Sequence, residues 1–167
     1  LTMPKDLRVL VKPHNDWFIS LDYNGAEART VLGLLKKPQP PGDVHEWNVA
    51  NVFANKGIGD RESAKTLFFS IFDRKIEVDE YKAVNYIVQS TTADLVNDRA
   101  VALDDFLKGK KTFVSHIVHD EIVLDMPDQE RYLIPEIKEI FSNNKLDKFV
   151  TNLKAGKDYM DIGVLNL

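Results

Sequence analysis

Two short runs of strand-forming residues meet at His119-Asp120-Glu121 within residues 111–127, KTFVSHIVHDEIVLDMP. This meeting point constrains the fold more than any other stretch. Phe113, Ile117, Ile122, Val123 and Leu124 suit a pleated, half-buried backbone, so the segment reads as a hairpin with two acids at its tip. Taken alone, it reads more simply as an ordinary polar turn.

A second strand-and-acid unit lies upstream, where Trp17-Phe18-Ile19-Ser20-Leu21 stops at Asp22 and gives way to a helix-like stretch. Two strand ends then offer carboxylates. A hard cation such as Mg²⁺ is held by one or two carboxylates plus substrate phosphate oxygens, and a pair of such ions ~4 Å apart can clamp an in-line phosphoryl displacement. Asp22 and Asp120 suit that arrangement.

The rest of the chain intersperses helices with strands. Leu7, Val9, Leu10 and Val11 form a β-like run before the turn at Pro13 to Asp16. Residues 24–37 read as a helix capped by Asn24, with Glu27 and Arg29 in its first turns, where a solvated helix face is the simplest reading. The stop at Pro38-Gln39-Pro40-Pro41-Gly42 precedes a helical pattern over residues 43–56 through Trp47, Val49, Val52 and Phe53. His45 reads there as a structural, hydrogen-bonding histidine.

Arg61, Lys65 and Phe69 follow at intervals of four, which lines two cations and a ring along one helix face able to take a triphosphate and stack a base. Exposed cations four apart are common, so spacing alone is a weak signal. Residues 73–80 read as a turn and short strand, and residues 81–107 as a long helix with Val84, Ile87, Val88, Leu95, Ala100, Leu103 and Phe106 facing the core. Asn85 and Gln89 give that helix a polar face suited to base-pair edges or a template backbone. A further helix is expected over residues 129–143 and a closing strand over residues 159–162. Without strict βαβ repeats, the expected class is α+β with a mainly antiparallel sheet packed by helices.

Charge and cysteine content narrow the function classes. A net charge of −4 argues mildly against nucleic-acid binding, so such a role must rest on local cations such as Arg61, Lys65, Arg74, Lys75, Lys108, Lys110 and Lys111. The absence of cysteine removes disulfide frameworks and Cys-based zinc sites, and no run is long and apolar enough to span a bilayer. The chain reads as a soluble intracellular protein with no membrane partner.

In order, these pieces resemble the motifs of family A DNA polymerases, especially the replicative polymerases of podovirus-type bacteriophages. Asp22-Tyr23-Asn24-Gly25-Ala26-Glu27-Ala28-Arg29 is similar to D-Y-x-x-x-E-x-R, and Asp43-Val44-His45 to D-[IV]-H. Arg61, Lys65 and Phe69 resemble the fingers helix R-x₃-K-x₃-[FY], and Asn85-x₃-Gln89 with Ser90 to Asp94 resembles N-x₃-Q-[GS]-[ST]-x-[AS]-D. Val118-His119-Asp120-Glu121 is similar to the final motif.

The resemblance implies template-directed DNA synthesis in phage replication, in the cytoplasm of an infected bacterial host or of a bacterium. Asp22 and Asp120 would bind two Mg²⁺ ions, with the Tyr23 carbonyl completing a shell and Glu121 supporting it. Glu27 would crowd the sugar 2′ position. Arg61, Lys65, Phe69 and His45 would hold the incoming dNTP, with Lys65 also protonating the leaving group. His119, Gln89, Asn85 and Arg29 would contact the primer-template DNA.

The sequence also departs from this pattern. Asp73 and Arg74 stand where the family has Tyr-Gly, and Asn85 lies only sixteen residues past Phe69, so the fingers are expected to be cut short near residues 72–74. The expectation is a single palm-type domain over residues 1–167 with a fingers remnant at about residues 57–80, thumb and exonuclease being carried by a companion chain or segment. Two other readings stay open: an inactive palm-derived structural or DNA-binding subunit of a split polymerase, and a metal-dependent nuclease or phosphatase using the same two acids.

Overall fold

β1 (Trp17–Tyr23) buries nearly every position, the mark of a strand covered on both faces, and it takes the centre of a five-stranded antiparallel sheet. The structure is a computed structural model, described over residues 4–51, 57, 59–73 and 79–165. β3 (Glu121–Met126) flanks β1 with Asp22 opposite Glu121, and β4 (Thr151–Gly156) flanks its other edge with Asp22 opposite Asn152. β2 (Phe113–Val118) pairs outside β3 and the short β5 (Gly163–Val164) outside β4, giving the order β2-β3-β1-β4-β5. The expected α+β class with an antiparallel sheet is therefore observed.

Alternation along the strands divides the sheet into two unlike faces. Ile19, Leu21 and Tyr23 share one face with Ile122, Leu124 and Leu153, and this face carries the core. Against it pack Leu95, Leu103 and Leu107 of α4 (Asp79–Leu107) and Ile134, Ile137 and Phe141 of α5 (Ile134–Ser142). Tyr23 locks this layer: its ring stacks on Phe141 at 4.4 Å and its hydroxyl donates to the Phe141 carbonyl at 2.8 Å. Burial pushes the Tyr23 hydroxyl up to about 12, so it stays a donor at any physiological pH. Ser20, Asp22, Glu121, Asn152 and Lys154 fall on the opposite, polar face.

The connections set the edges of that face. α1 (Ala26–Leu34) follows β1 directly, and Gly25 at φ 66° makes the corner, where a Cβ would collide with a Val44 methyl. Thr92 of α4 donates to Thr30 of α1 at 2.9 Å, fixing the two helices together. α2 (Val44–Asn51) and α3 (Arg61–Asp73) complete the rim.

Several expectations from sequence need correction. The β-like run near the N-terminus is a 3₁₀ helix, Lys5–Leu10, because both edges of β1 are already taken by β3 and β4; the chain instead meets the segment after β4, its Val11 carbonyl accepting from the Tyr159 amide at 3.0 Å. Helix α1 starts two residues after Asn24, which does not cap it: its side chain accepts from the Val44 amide at the start of α2 and donates to Asp43. The helix expected over residues 129–143 is a 3₁₀ turn, Asp128–Leu133, followed by α5, since Pro135 lacks the amide that would continue one helix through it.

Val84 and Ile87 are exposed rather than in the core, because α4 outruns the sheet and only its second half packs on it. The closing strand is Gly163–Val164, later than expected, and Tyr159 joins a ring cluster with Phe18 and His116 on the polar face. Asp73 ends α3 while Asp79 and Glu80 open α4, so the turn and strand expected over residues 73–80 are helical at both ends; residues 74–78 lie outside the described residues, as do Val52 and Phe53 of the helix expected over 43–56. No helix among the described residues is long and apolar enough to cross a membrane.

Candidate active site

The β2–β3 turn is only two residues long, with His119 at φ 56°, and it delivers His119 and Asp120 to the end of the sheet where β1 finishes at Asp22 and Tyr23. There a cleft of about 680 Å³ opens between the sheet end and helices α1 to α4. Asp22, Tyr23, Glu27, His45, Arg61, Lys65, Gln89, His119 and Asp120 all line it. Because the Tyr23 ring is packed in the core, its main chain is what borders the cleft.

The acids sit in contrasting surroundings. Asp22 Oδ2 accepts from the Asn152 side chain at 3.1 Å, whereas its Oδ1 is buried, accepts no hydrogen bond and has the Lys154 ammonium 3.1 Å away as an ion pair. Burial lifts the Asp120 carboxyl above the ordinary aspartate range; the hydrogen bond from its own amide and nearby His119 pull it back, while the charges of Asp22 and Glu121 push it up again. Two carboxylates thus repel each other across one cleft. Glu121 lies outside the cleft lining, accepting a hydrogen bond from the Ser20 hydroxyl on the polar face.

The cationic wall is tied down through Asp43. Its Oδ1 accepts from the amides of His45 (2.9 Å) and Glu46 (3.1 Å), capping α2, and its Oδ2 takes a fork from Arg61 Nε (3.0 Å) and Nη2 (2.9 Å). Arg61, the first residue of α3, is thereby pinned to the start of α2. Partial burial raises the Asp43 carboxyl, but the Arg61 fork, the two amides and the Asn24 side chain outweigh that and hold it at about 2. Burial pushes His45 down, so the imidazole is neutral, its ring edge-on to Phe68.

A stability consequence follows from Asp43. A carboxyl held below its unfolded value stabilises the fold above about pH 4, and that stabilisation is lost as pH falls toward 2. Asp43→Asn is expected to lower the melting temperature at pH 7 by about 2–4 °C, on the order of 1 kcal/mol for a pair this exposed, and to converge on the wild type near pH 2. Circular-dichroism melts across that range check it; a constant offset at every pH would rule out the charge as the cause.

Besides Glu121, three predicted residues stand apart. Arg29, expected on an open face toward DNA, is fully buried: its guanidinium donates to the carbonyls of Asn24, Pro40 and Gly42 and to the Gln39 side chain. It holds the proline-rich loop and lies outside the cleft lining. Asn85 lies one turn before Gln89 on α4 and outside the cleft lining. Phe69 belongs to α3, and its side chain lies outside the described side chains. The cleft lining also contains residues that the motifs did not single out, chiefly Asn152, Asn24 and Thr92, while Lys154 pairs with Asp22 from outside that lining. Strand alternation in FVTNLKAG would have placed Asn152 and Lys154 together on one face.

No protein-family model matches the chain, and no curated protein matches it. Among solved structures it is similar to the POL domain of Pol1 from M. smegmatis in complex with DNA primer-template and dNTP, with a TM-score of 0.64 and 14% identity. The similarity covers 95% of this chain and 43% of that chain. At that identity the likeness concerns the fold alone, and the sheet with its covering helices is palm-like, as in a DNA polymerase.

Proposed function

We propose that the chain is the catalytic palm of a DNA polymerase of the family A type, adding nucleotides to a primer 3′-hydroxyl under direction of a template. One observation carries the reading: a single cleft brings Asp22 and Asp120 from separate strand ends to face Arg61, Lys65 and His45 on helices. Acids for cations on one wall and cations for phosphate on the other are what transfer of a nucleotidyl group from a dNTP requires. The structural neighbour was solved with primer-template and dNTP, which supports those partners for this chain.

The acid pair fits Mg²⁺. Asp22 Oδ1 is buried without a hydrogen bond, and Asp120 carries a repulsion that a divalent cation would relieve. Among the described residues no group of three or more His, Asp or Glu could form an all-protein cage, and Mg²⁺ commonly relies on one or two carboxylates together with substrate oxygens and water. Asp22, Asp120 and the Tyr23 carbonyl would hold it. Bound there, two Mg²⁺ ions supply a lowered pKa at the primer hydroxyl and charge neutralisation at the pyrophosphate.

The chain's own residues do the rest. Arg61 and Lys65 bind the triphosphate; as the primer 3′-hydroxyl loses its proton to solvent and its oxygen bonds to Pα, the bond from Pα to the bridging oxygen breaks and Lys65 gives a proton to the departing pyrophosphate. Glu27 lines the cleft beside Tyr23 and, on this reading, excludes a 2′-hydroxyl. Gln89 and His119 contact the primer-template, while Arg29 acts as a loop anchor. Residues 1–167 form one palm-type domain with a fingers remnant, acting in phage DNA replication in a bacterial cytoplasm with thumb and exonuclease on a companion chain or segment.

The test is extension of a self-priming hairpin DNA by the 167-residue chain at low ionic strength, where phosphate contacts are strongest, with Mg²⁺ and all four dNTPs. Templated addition that needs the complementary dNTP supports the reading. Shortening of the DNA without nucleotide would assign the acids to a nuclease, and DNA binding with no addition under Mg²⁺ or Mn²⁺ would assign the chain to an inactive subunit.

A further inference from the structure

Lys154 reaches Asp22 from β4, far from every motif. Its register partner on β1 is Ser20, and from that position its side chain runs diagonally to Asp22 and sets its ammonium 3.1 Å from Oδ1. This is the ion pair that the described residues give to Asp22, and it falls on the carboxylate oxygen that accepts no hydrogen bond. Asn152, two residues earlier on the same strand face, holds the other oxygen. Between them, Asn152 and Lys154 fix the carboxylate from the β4 side without touching Asp120.

We propose that Lys154 is a counter-cation for Asp22 that competes with a divalent cation for Oδ1, the carboxylate oxygen that accepts no hydrogen bond. The inference rests on the acid-pair reading above and adds to it a positioning residue that tunes metal loading. The ammonium keeps Asp22 aimed at the cleft and offsets the repulsion between Asp22 and Asp120 until metal arrives. Its stem is one-third exposed, so the head can swing into water at modest cost, while Asn152 retains its grip on Oδ2. Divalent cation alone must displace a charge already in place. A nucleotide that brings phosphate oxygens adds ligands with which Lys154 does not compete, so metal loading becomes coupled to substrate.

Binding of Mn²⁺ alone, measured by the loss of the free-ion electron paramagnetic resonance signal with no DNA or nucleotide present, tests this. Lys154→Met is expected to bind Mn²⁺ about five- to tenfold more tightly than the wild type, the range expected from removing one competing, partly exposed charge. Lys154→Arg, which keeps the cation, is expected to match the wild type. A disturbed fold would weaken binding, so tighter binding cannot arise from damage; melts in chelator confirm that each variant is folded. Equal or weaker binding by Lys154→Met, with binding abolished by Asp22→Asn, would overturn the role of Lys154 and leave the acid pair standing. Absence of Mn²⁺ binding in the folded wild type and in every variant would overturn both.

Discussion

Asp120→Asn is expected to cut templated nucleotide addition by about a thousandfold or more while raising the melting temperature of the metal-free protein at neutral pH. The first effect follows from charge. An amide keeps the shape of the hairpin tip but cannot offer an anionic ligand, and electrostatic stabilisation is the largest contribution to phosphoryl transfer. The second effect has the opposite sign because the carboxyl is costly where it stands. Burial and the charge of Asp22 hold it above its unfolded value, so the folded state binds that proton more tightly than the unfolded chain does.

Ionised Asp120 therefore destabilises the fold at pH 7, the cost growing as pH rises through the ordinary carboxylate range and vanishing below it. Single-turnover extension and melts in chelator at pH 7 and pH 3 measure the two effects together. The variant should melt above the wild type at pH 7 and level with it at pH 3. Extension within tenfold of the wild type would remove Asp120 from the catalytic centre, and a lower melting point at pH 7 would mean that the carboxylate stabilises the turn. Activity lost with stability gained is the signature of a residue held for function.

Much of the site was legible because its pieces are local. A hairpin tip and a strand end declare themselves within six or seven residues, and Asp22 and Asp120 need only those elements to be placed. What sequence reasoning missed depends on distant pairing. Lys154 belongs to Asp22 only through the β1–β4 register, across 132 positions of chain, and nothing local in LKAG marks it. Val84 and Ile87 have core-like spacing, yet they stand exposed because the length of α4 against the sheet decides which turns are covered. The N-terminal run has the composition of a strand and forms a 3₁₀ helix because no edge of the central strand is left for it. The same chain, read locally, put Arg29 on a solvated helix face. The loop that buries it lies beyond the end of the helix and folds back over it through Gln39, Pro40 and Gly42.

Arg29→Met is accordingly expected to destabilise the protein by about 3 kcal/mol, or about 6–12 °C in melting temperature at this length, with no direct loss of a DNA contact. Methionine preserves most of the buried stem but strands the carbonyls of Asn24, Pro40 and Gly42, each of which now accepts from the guanidinium. Gln39 is tied into the same knot, its side-chain amide donating to the Arg29 carbonyl at 3.1 Å. Losing the fork frees the loop that ends at Asp43, and Asp43 is what aims Arg61 at the cleft. Binding of dNTP should therefore weaken more than the chemical step slows, appearing as a raised KM with a smaller change in kcat. Arg29→Lys should recover little, since a single ammonium cannot reach acceptors spread over two backbone segments. Urea titration separates this from a DNA-contact role: a lower midpoint at unchanged slope marks the loop anchor, whereas unchanged stability with weakened duplex binding would put Arg29 back on the nucleic acid.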